Sequence, residues 1–170
     1  MIREAGMADI EPLFNIWMEL VKEEIEIDND FKDIESLKEV YARYIRSFIL
    51  RENHIVFIAI EKGEIIGFIA GKITKAPPVF VYEKKGYISD LFVKREHRRR
   101  GIGCKLMETI EKWFKGRGID RVFLDVYAAN EYARHFYKKR GFCEYSISVS
   151  YTHLRAHETR HDLVCRLLLE

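Results

Sequence analysis

From Ile10 the chain repeats apolar residues at three- and four-residue spacing (Leu13, Phe14, Trp17, Leu20, Val21), the signature of a helix with one buried face. Asp9 stands at the expected N-cap, and Pro12 falls in the first turn, where a missing N–H is tolerated. A second helix is predicted over Ile34 to Leu50, with Leu37, Val40, Tyr41, Tyr44, Ile45 and Phe48 on one face. Ile2 to Glu4 reads as an edge strand. The run HIVFIAIEKGEIIGFIAGKIT gives two strands about a turn at Lys62 and Gly63, a hairpin that Ala76, Pro77 and Pro78 end. Gly86 to Val93 is a further strand, leading through a basic glycine turn into a helix from about Gly103 to Phe114 that Gly116 and Gly118 close. Arg121 to Val126 is the next strand, Glu131 to Lys139 a helix closed by Gly141, and Phe142 to Val149 a last strand with Tyr145, Ile147 and Val149 alternating. The order β-α-α-β-β-β-α-β-α-β predicts a mixed α/β domain without internal repeats.

Composition narrows this little. At 170 residues, 48% hydrophobic and 33% charged, the chain has enough apolar material for a core and is not a disordered sequence. A net charge of +2 gives no bulk reason to expect nucleic acid or a membrane surface as partner. No apolar run approaches the ~20 residues that span a bilayer. The N-terminus lacks the plan of a signal peptide, so a reduced, cytoplasmic setting is expected. Cys104, Cys143 and Cys165 are scattered and imply neither a disulfide framework nor a zinc pattern.

The last residues, 149–170, stand apart. His153, His157, His161 and Cys165 recur every four positions, but on a helix the first and last would lie ~18 Å apart, too far for one tetrahedral metal site. The segments VSYTHLRAHET and LVCRLLLE resemble one translated frame of a sequencing-library adapter. The expectation is a domain over 1–148 followed by a non-native tail over 149–170 that replaces the natural C-terminus.

The chemistry is concentrated in YISDLFVKREHRRRGIGCKLM, residues 87–107. A strand, a glycine turn and a helix start aim several backbone N–H groups one way and, with the helix dipole, suit phosphate oxygens. Gly101 and Gly103 allow close approach, and Arg98, Arg99 and Arg100 add charge. A dinucleotide fingerprint would need a third glycine where Leu106 stands, and no Gly-Lys-Ser/Thr occurs. A solvated basic loop capping a helix explains the same residues without a ligand.

With its flanks, this segment resembles the acyl-CoA site of the GNAT N-acetyltransferase superfamily, whose pattern of Arg or Gln, two residues, Gly, one residue, and Gly or Ala is met by Arg98, Gly101 and Gly103. A second block agrees: in FLDVYAANEYARHFYKKRGF, Asn130, Ala133, Phe136, Tyr137, Gly141 and Phe142 fall at the family's spacing. The resemblance covers about residues 1–148. It implies a mixed, mostly antiparallel sheet with a splayed central pair of parallel strands, flanked by helices, and an enzyme that moves an acetyl group from acetyl-CoA to a primary amine. The route would be direct attack through a tetrahedral intermediate, with acetyl-CoA as cosubstrate and no metal.

The resemblance also implies roles. The pantetheine arm would pair with backbone near Phe92 and Val93, the pyrophosphate would sit on N–H groups from Arg98 to Cys104, and Asn130 would hold the pantetheine or cap a helix. Tyr137 matches the general-acid tyrosine that protonates the leaving thiolate; as a half-buried aromatic on an amphipathic helix it has a purely structural reading as well. Several members carry a carboxylate where this chain has Ser89. Asp90, one residue later, would point to the opposite face by strand alternation, and is either structural or a catalytic residue that orients the water removing the amine's proton. His97 and His135 are expected to face solvent, His54 to begin a strand, and Cys104 to pack at a helix start. Family members often pair through C-terminal strands, which implies a homodimer for the native protein.

Nine carboxylates between Glu19 and Glu39, against Lys22, Lys32 and Lys38, suit a cationic acceptor such as a polyamine, a basic small molecule or a peptide amine; they are equally the solvated faces of two helices. The alternative from another class is a non-catalytic acyl-CoA-binding or regulatory module. A nucleic-acid partner is not expected, because no aromatic residues interleave Arg98 to Arg100.

Overall fold

The computed structural model describes residues 1–28 and 34–150; the histidine stripe and nearly all of the tail lie outside the described residues. Packing divides the chain into two units, Met1–Glu131 and Tyr132–Glu170. In the first, β1 (Ile2–Glu4), α1 (Ile10–Ile25), α2 (Ile34–Leu50), β2 (His54–Glu61), β3 (Glu64–Lys75), β4 (Lys84–Val93), α3 (Ile102–Lys115) and β5 (Val122–Leu124) follow one another, with 3-10 turns at Met7–Asp9 and Arg95–His97. The five strands form one sheet in sequence order, antiparallel except for the β4–β5 pair. This is the α/β architecture that the resemblance implies. No helix of the described residues is long and apolar enough to cross a membrane.

Helices α1 and α2 cover one face of the sheet. Leu13, Ile16, Trp17, Ile45 and Phe48 pack there against Val56, Ile58, Phe68, Ala70 and Phe92. Each such burial stabilises by roughly 1.5–3 kcal/mol, which is how two amphipathic stripes hold a sheet. Leu106, Met107, Ile110 and Phe114 of α3 are buried on the other face. There α3 sits so close that a Cβ at Gly86 would meet the Phe114 ring at 2.8 Å, and one at Gly71 would meet Ile110 Cδ1 at 2.6 Å.

The β2–β3 hairpin turns at Lys62 and Gly63, both at positive φ, with Glu61 opposite Glu64, as the sequence predicts. Asp9 differs from expectation. It holds the N-cap position but makes no side-chain cap into α1. Its carboxylate instead accepts the Gly6 N–H at 2.8 Å and both arms of Arg3 at 2.6 and 2.7 Å, and the Arg3 hydrogen bonds hold it below the usual carboxylate range.

The register of β4 matters most for function. Ala70 lies opposite Asp90 and Gly71 opposite Ile88, so Ser89 is an extra residue, a β-bulge. Gly86 faces α3, and so by alternation does Ile88, whereas Phe92, and with it Asp90, faces the α1–α2 side. The bulge also changes the expected alternation: with Ser89 as the extra residue, Asp90 joins the α1–α2 face and accepts from the Tyr44 hydroxyl, while the buried Ser89 hydroxyl has no hydrogen-bond partner among the described residues. Beyond the bulge β4 parts from β5, whose ladder covers only Gly86 with Val122, Tyr87 with Phe123 and Ile88 with Leu124. Strand β5 is therefore shorter than the predicted Arg121 to Val126, because a bulged strand twists away from its neighbour.

The second unit holds α4 (Glu131–Lys139), which begins one residue before the boundary and has the predicted limits. Gly141, at φ 88°, closes it, and the Phe142 N–H reaches the Tyr137 carbonyl at 3.1 Å. The predicted strand over Phe142 to Val149 does not form: those residues carry no ladder, and Tyr145, Ile147 and Val149 are exposed. Alternating apolar residues make a strand only when one face is buried, and here neither face is.

Candidate active site

The glycine turn starts where β4 ends. The Lys94 N–H donates to the Ile66 carbonyl at 3.0 Å and fixes the exit of the strand. Arg99 (φ 63°) and Gly101 (φ 76°) bring the chain round to α3 in left-handed conformations. Nothing lies within 4 Å of a Cβ built on Gly101, so the glycine is required by its backbone angle and not by space. The first α3 bond runs from the Lys105 N–H to the Gly101 carbonyl at 3.1 Å. Ile102, Gly103 and Cys104 therefore present N–H groups with no intrahelical acceptor, at the positive end of the helix dipole.

The arginines of the turn are held by the protein itself. Arg98 donates from Nε to the Val93 carbonyl at 2.8 Å, grips both carboxylate oxygens of Glu23 at 2.8 Å, and lies over the Phe92 ring. Arg95 joins it on Glu23 at 2.9 Å. Arg100 binds Glu61 at 2.6 and 3.1 Å and meets His97 at 2.8 Å. His97 is thus tucked against Glu61 at 3.3 Å, not solvent-facing as expected, because a ring between Arg100 and Glu61 has partners on both sides. The Arg98 and Arg100 guanidiniums clamp the turn to α1 and to the β2–β3 hairpin, which leaves the backbone N–H groups at the start of α3 as the donors of the turn without a partner in the helix. Cys104 is half-buried at the helix start, as expected, and His54 opens β2.

Asp90 is the second focus. Trp17 donates from Nε1 to one carboxylate oxygen at 3.2 Å, and the Tyr44 hydroxyl donates to the other at 3.3 Å. Burial pushes the Asp90 carboxyl up to about 7, helped by the charge of Glu24 and opposed by the two hydrogen bonds and by Lys72. A carboxyl poised there exchanges protons readily at neutral pH. Around it Glu24 is raised by its own burial, Tyr41 is pushed up to about 12, and Tyr44 and Tyr87 are raised further by burial and by nearby acids. The Tyr87 hydroxyl donates to Asp125.

Phe92 is buried beneath Arg98, and Val93 is half-buried at the end of β4, on the edge that β5 leaves uncovered. Asn130 directly precedes α4, with its N–H on the Tyr127 carbonyl at 2.9 Å. In the second unit Tyr137 is half-buried between Phe136 and Phe142, with ring centroids 5.4 and 5.7 Å away, and His135 faces solvent. Among the described residues no three metal-ligating side chains gather. Sequence reasoning missed Trp17 and Tyr44 as partners of Asp90 and the pairing of Glu23 with Arg98, and gave Glu23 and Glu24 only as part of the acidic stretch. The one usable signal was Trp17, since a buried indole N–H needs an acceptor.

Comparison with known proteins agrees with the fold. A model of the Acetyltransferase (GNAT) family matches residues 16–142. N-alpha-acetyltransferase 30 of Schizosaccharomyces pombe is 32% identical over 110 residues, 64% of this chain and 71% of that protein. An N-alpha-acetyltransferase of Sulfurisphaera tokodaii is 32% identical over 120 residues, 66% and 71% of the two chains. Among solved structures, a mutant of the BH1408 protein of Bacillus halodurans superposes with a TM-score of 0.82 at 25% identity, covering 91% of this chain and 99% of that one. A predicted acetyltransferase of Clostridium acetobutylicum, solved with acetyl-CoA, shares the fold at a TM-score of 0.75 and 23% identity, covering 92% and 98%.

Proposed function

This chain belongs to the GNAT acetyltransferase family, and we propose that it transfers the acetyl group of acetyl-CoA to the α-amine of a peptide or to a small primary amine. The observation that carries the reading is Asp90, a desolvated carboxyl raised to about 7 with both oxygens held by donors. In this reading Asp90, directly or through one water, takes the proton from the incoming ammonium, and Glu24 adds negative charge that draws the ammonium in. The amine then attacks the thioester carbonyl. Tyr137 donates a proton to the leaving thiolate as the tetrahedral intermediate collapses.

The N–H groups of Ile102, Gly103 and Cys104 fit the pyrophosphate of the donor, and the open edge of β4 at Phe92 and Val93 fits the amides of its pantetheine arm. Asn130 would bind the same arm. Arg98 and Arg100 serve by fixing the turn, and Arg99 by its charge. The N-alpha-acetyltransferase names of two relatives support a peptide α-amine as acceptor. Glu19 and Glu23 of α1 and Glu26 just past its end are engaged by Lys94, Arg95 and Arg98, so attraction for a cationic head falls to Glu24 and Asp90. We read residues 149–170 as foreign to the domain and place no chemistry there. The test is thermal unfolding with acetyl-CoA, where a ligand at ~100 times its Kd adds about 2.7 kcal/mol of stability, followed by thiol release with peptide amines. No stabilisation and no thiol release would refute the reading.

A further inference from the structure

Arg95, Arg98 and Arg100 around the glycine turn are paired with carboxylates, but the cations at the other end of the β3–β4 ladder are not. Lys72, Lys85 and Arg121 form no ion pair with any described carboxylate. They lie instead over aromatic rings: Lys72 over Tyr87 at 5.3 Å, Lys85 over Phe123 at 4.8 Å and Arg121 over Tyr82 at 5.1 Å. Tyr82 is in turn stacked on Phe80 and tilted against Phe123.

The bulge at Ser89 decides what these cations sit beside. Tyr87 and Asp90 are an odd number of positions apart, yet the extra residue puts both on the α1–α2 face, and the Asp90 charge helps to raise the Tyr87 hydroxyl. Lys72 also acts on Asp90 through its charge. Along that face the pairs run Ala70 with Asp90, then Lys72 with Tyr87 beside Phe123, then Thr74 with Lys85, with Arg121 two residues before Phe123. Each step of two residues is about 7 Å, so the cationic rows stand about 7 Å and about 14 Å from the candidate base. Asp90 and Asp125 lie at the near end of the face, where Asp125 is occupied by Tyr87, and Glu83, two residues before Lys85 at the far end, makes no ion pair with Lys85 or Arg121.

We infer that this strip is an acceptor-specificity surface, and that the protein prefers an extended peptide N-terminus with acidic side chains at its third and fifth residues. The inference rests on the acetyl-transfer reading above. An extended peptide rises about 3.3 Å per residue and shows alternate side chains to one face. With its amine at Asp90, its third and fifth side chains fall over the Lys72 row and the Lys85–Arg121 row. Carboxylates there meet cations that lack acidic partners, while the ammonium meets Asp90 and Glu24. The face thus suits a chain positive at its end and negative along one side.

The experiment compares kcat/KM for acetylation of Ser-Gly-Asp-Gly-Asp, the register-shifted Ser-Asp-Gly-Asp-Gly and the basic Ser-Gly-Lys-Gly-Lys, all C-terminally amidated. The expected result is about a ten-fold advantage of the first over the third, carried by KM, with the shifted peptide between them and the advantage shrinking in salt. In the double variant Lys85→Glu with Arg121→Glu the preference inverts toward the basic peptide, an outcome that a misfolded protein cannot produce. Equal turnover of all three peptides by the wild type overturns this inference and leaves acetyl transfer standing. Turnover of none overturns the transfer reading and this one with it. Suppression of peptide turnover by a short single-stranded oligonucleotide, lost in the double variant, would assign the strip to nucleic acid and overturn the peptide.

Discussion

Replacing Asp90 by Asn should make the protein more stable at alkaline pH, although the residue is held by two hydrogen bonds. The carboxyl is raised from 3.8 to about 7, chiefly by burial. Such a group binds its proton more tightly folded than unfolded. Its contribution is therefore full below about pH 4 and is lost as pH rises through about 7. The displacement corresponds to about 4 kcal/mol between the two protonation states. Asn copies the protonated form: its oxygen accepts from Trp17, and the Tyr44 hydroxyl can rotate to accept from its amide. Urea unfolding of both proteins at pH 5 and pH 8.5 measures the effect. About two pH units lie between pH 5 and the midpoint near 7, so the stability of the variant relative to the wild type should rise by up to about 2.7 kcal/mol across the interval. Glu24, itself raised by burial, shares part of the proton uptake, so a rise of about 2 kcal/mol is the least the reasoning allows. Parallel stability curves would refute the claim that Asp90 carries a desolvated charge.

Tyr44→Phe removes a donor that favours the charged carboxylate, so the acid limb of activity should move to higher pH, with turnover recovering at pH 8.5; an unmoved limb would show that Tyr44 only packs. Gly101→Ala places a side chain at φ 76° with no clash, costing about 1–2 kcal/mol of stability, and should weaken acetyl-CoA binding several-fold by isothermal titration. Gly63→Ala, at φ 86° and equally open, should cost similar stability and leave acetyl-CoA binding alone. Tyr137→Phe should lower kcat by about 100-fold or more while the thermal shift with acetyl-CoA persists, and retained turnover would remove Tyr137 from the chemistry.

Much of this architecture was legible because its signals are local. The α2 and α4 limits follow from apolar period and flanking residues, the hairpin from Lys62 and Gly63, and the turn into α3 from Gly101 and Gly103. What escaped depends on partners distant in sequence. Trp17 and Asp90 are 73 residues apart, and Arg98 and Glu23 are 75 apart, so neither pair leaves a spacing signature. The bulge at Ser89 exists only in register with β3; it reverses the facing of Asp90 and with it the simplest argument about that residue. Residues 142–149 failed for the converse reason: a pattern that suits a strand found no ladder.

In the proposed reaction Asp90 removes the proton from the acceptor amine. The most direct measurement is the pH dependence of kcat/KM for acetyl transfer to one peptide, in the wild type and in Asp90→Asn. An acid limb with a midpoint near 7 is expected in the wild type, and a residual activity in the variant that lacks this limb and rises only as the free amine forms. Superimposable profiles, or a variant with full activity at pH 7, would contradict it.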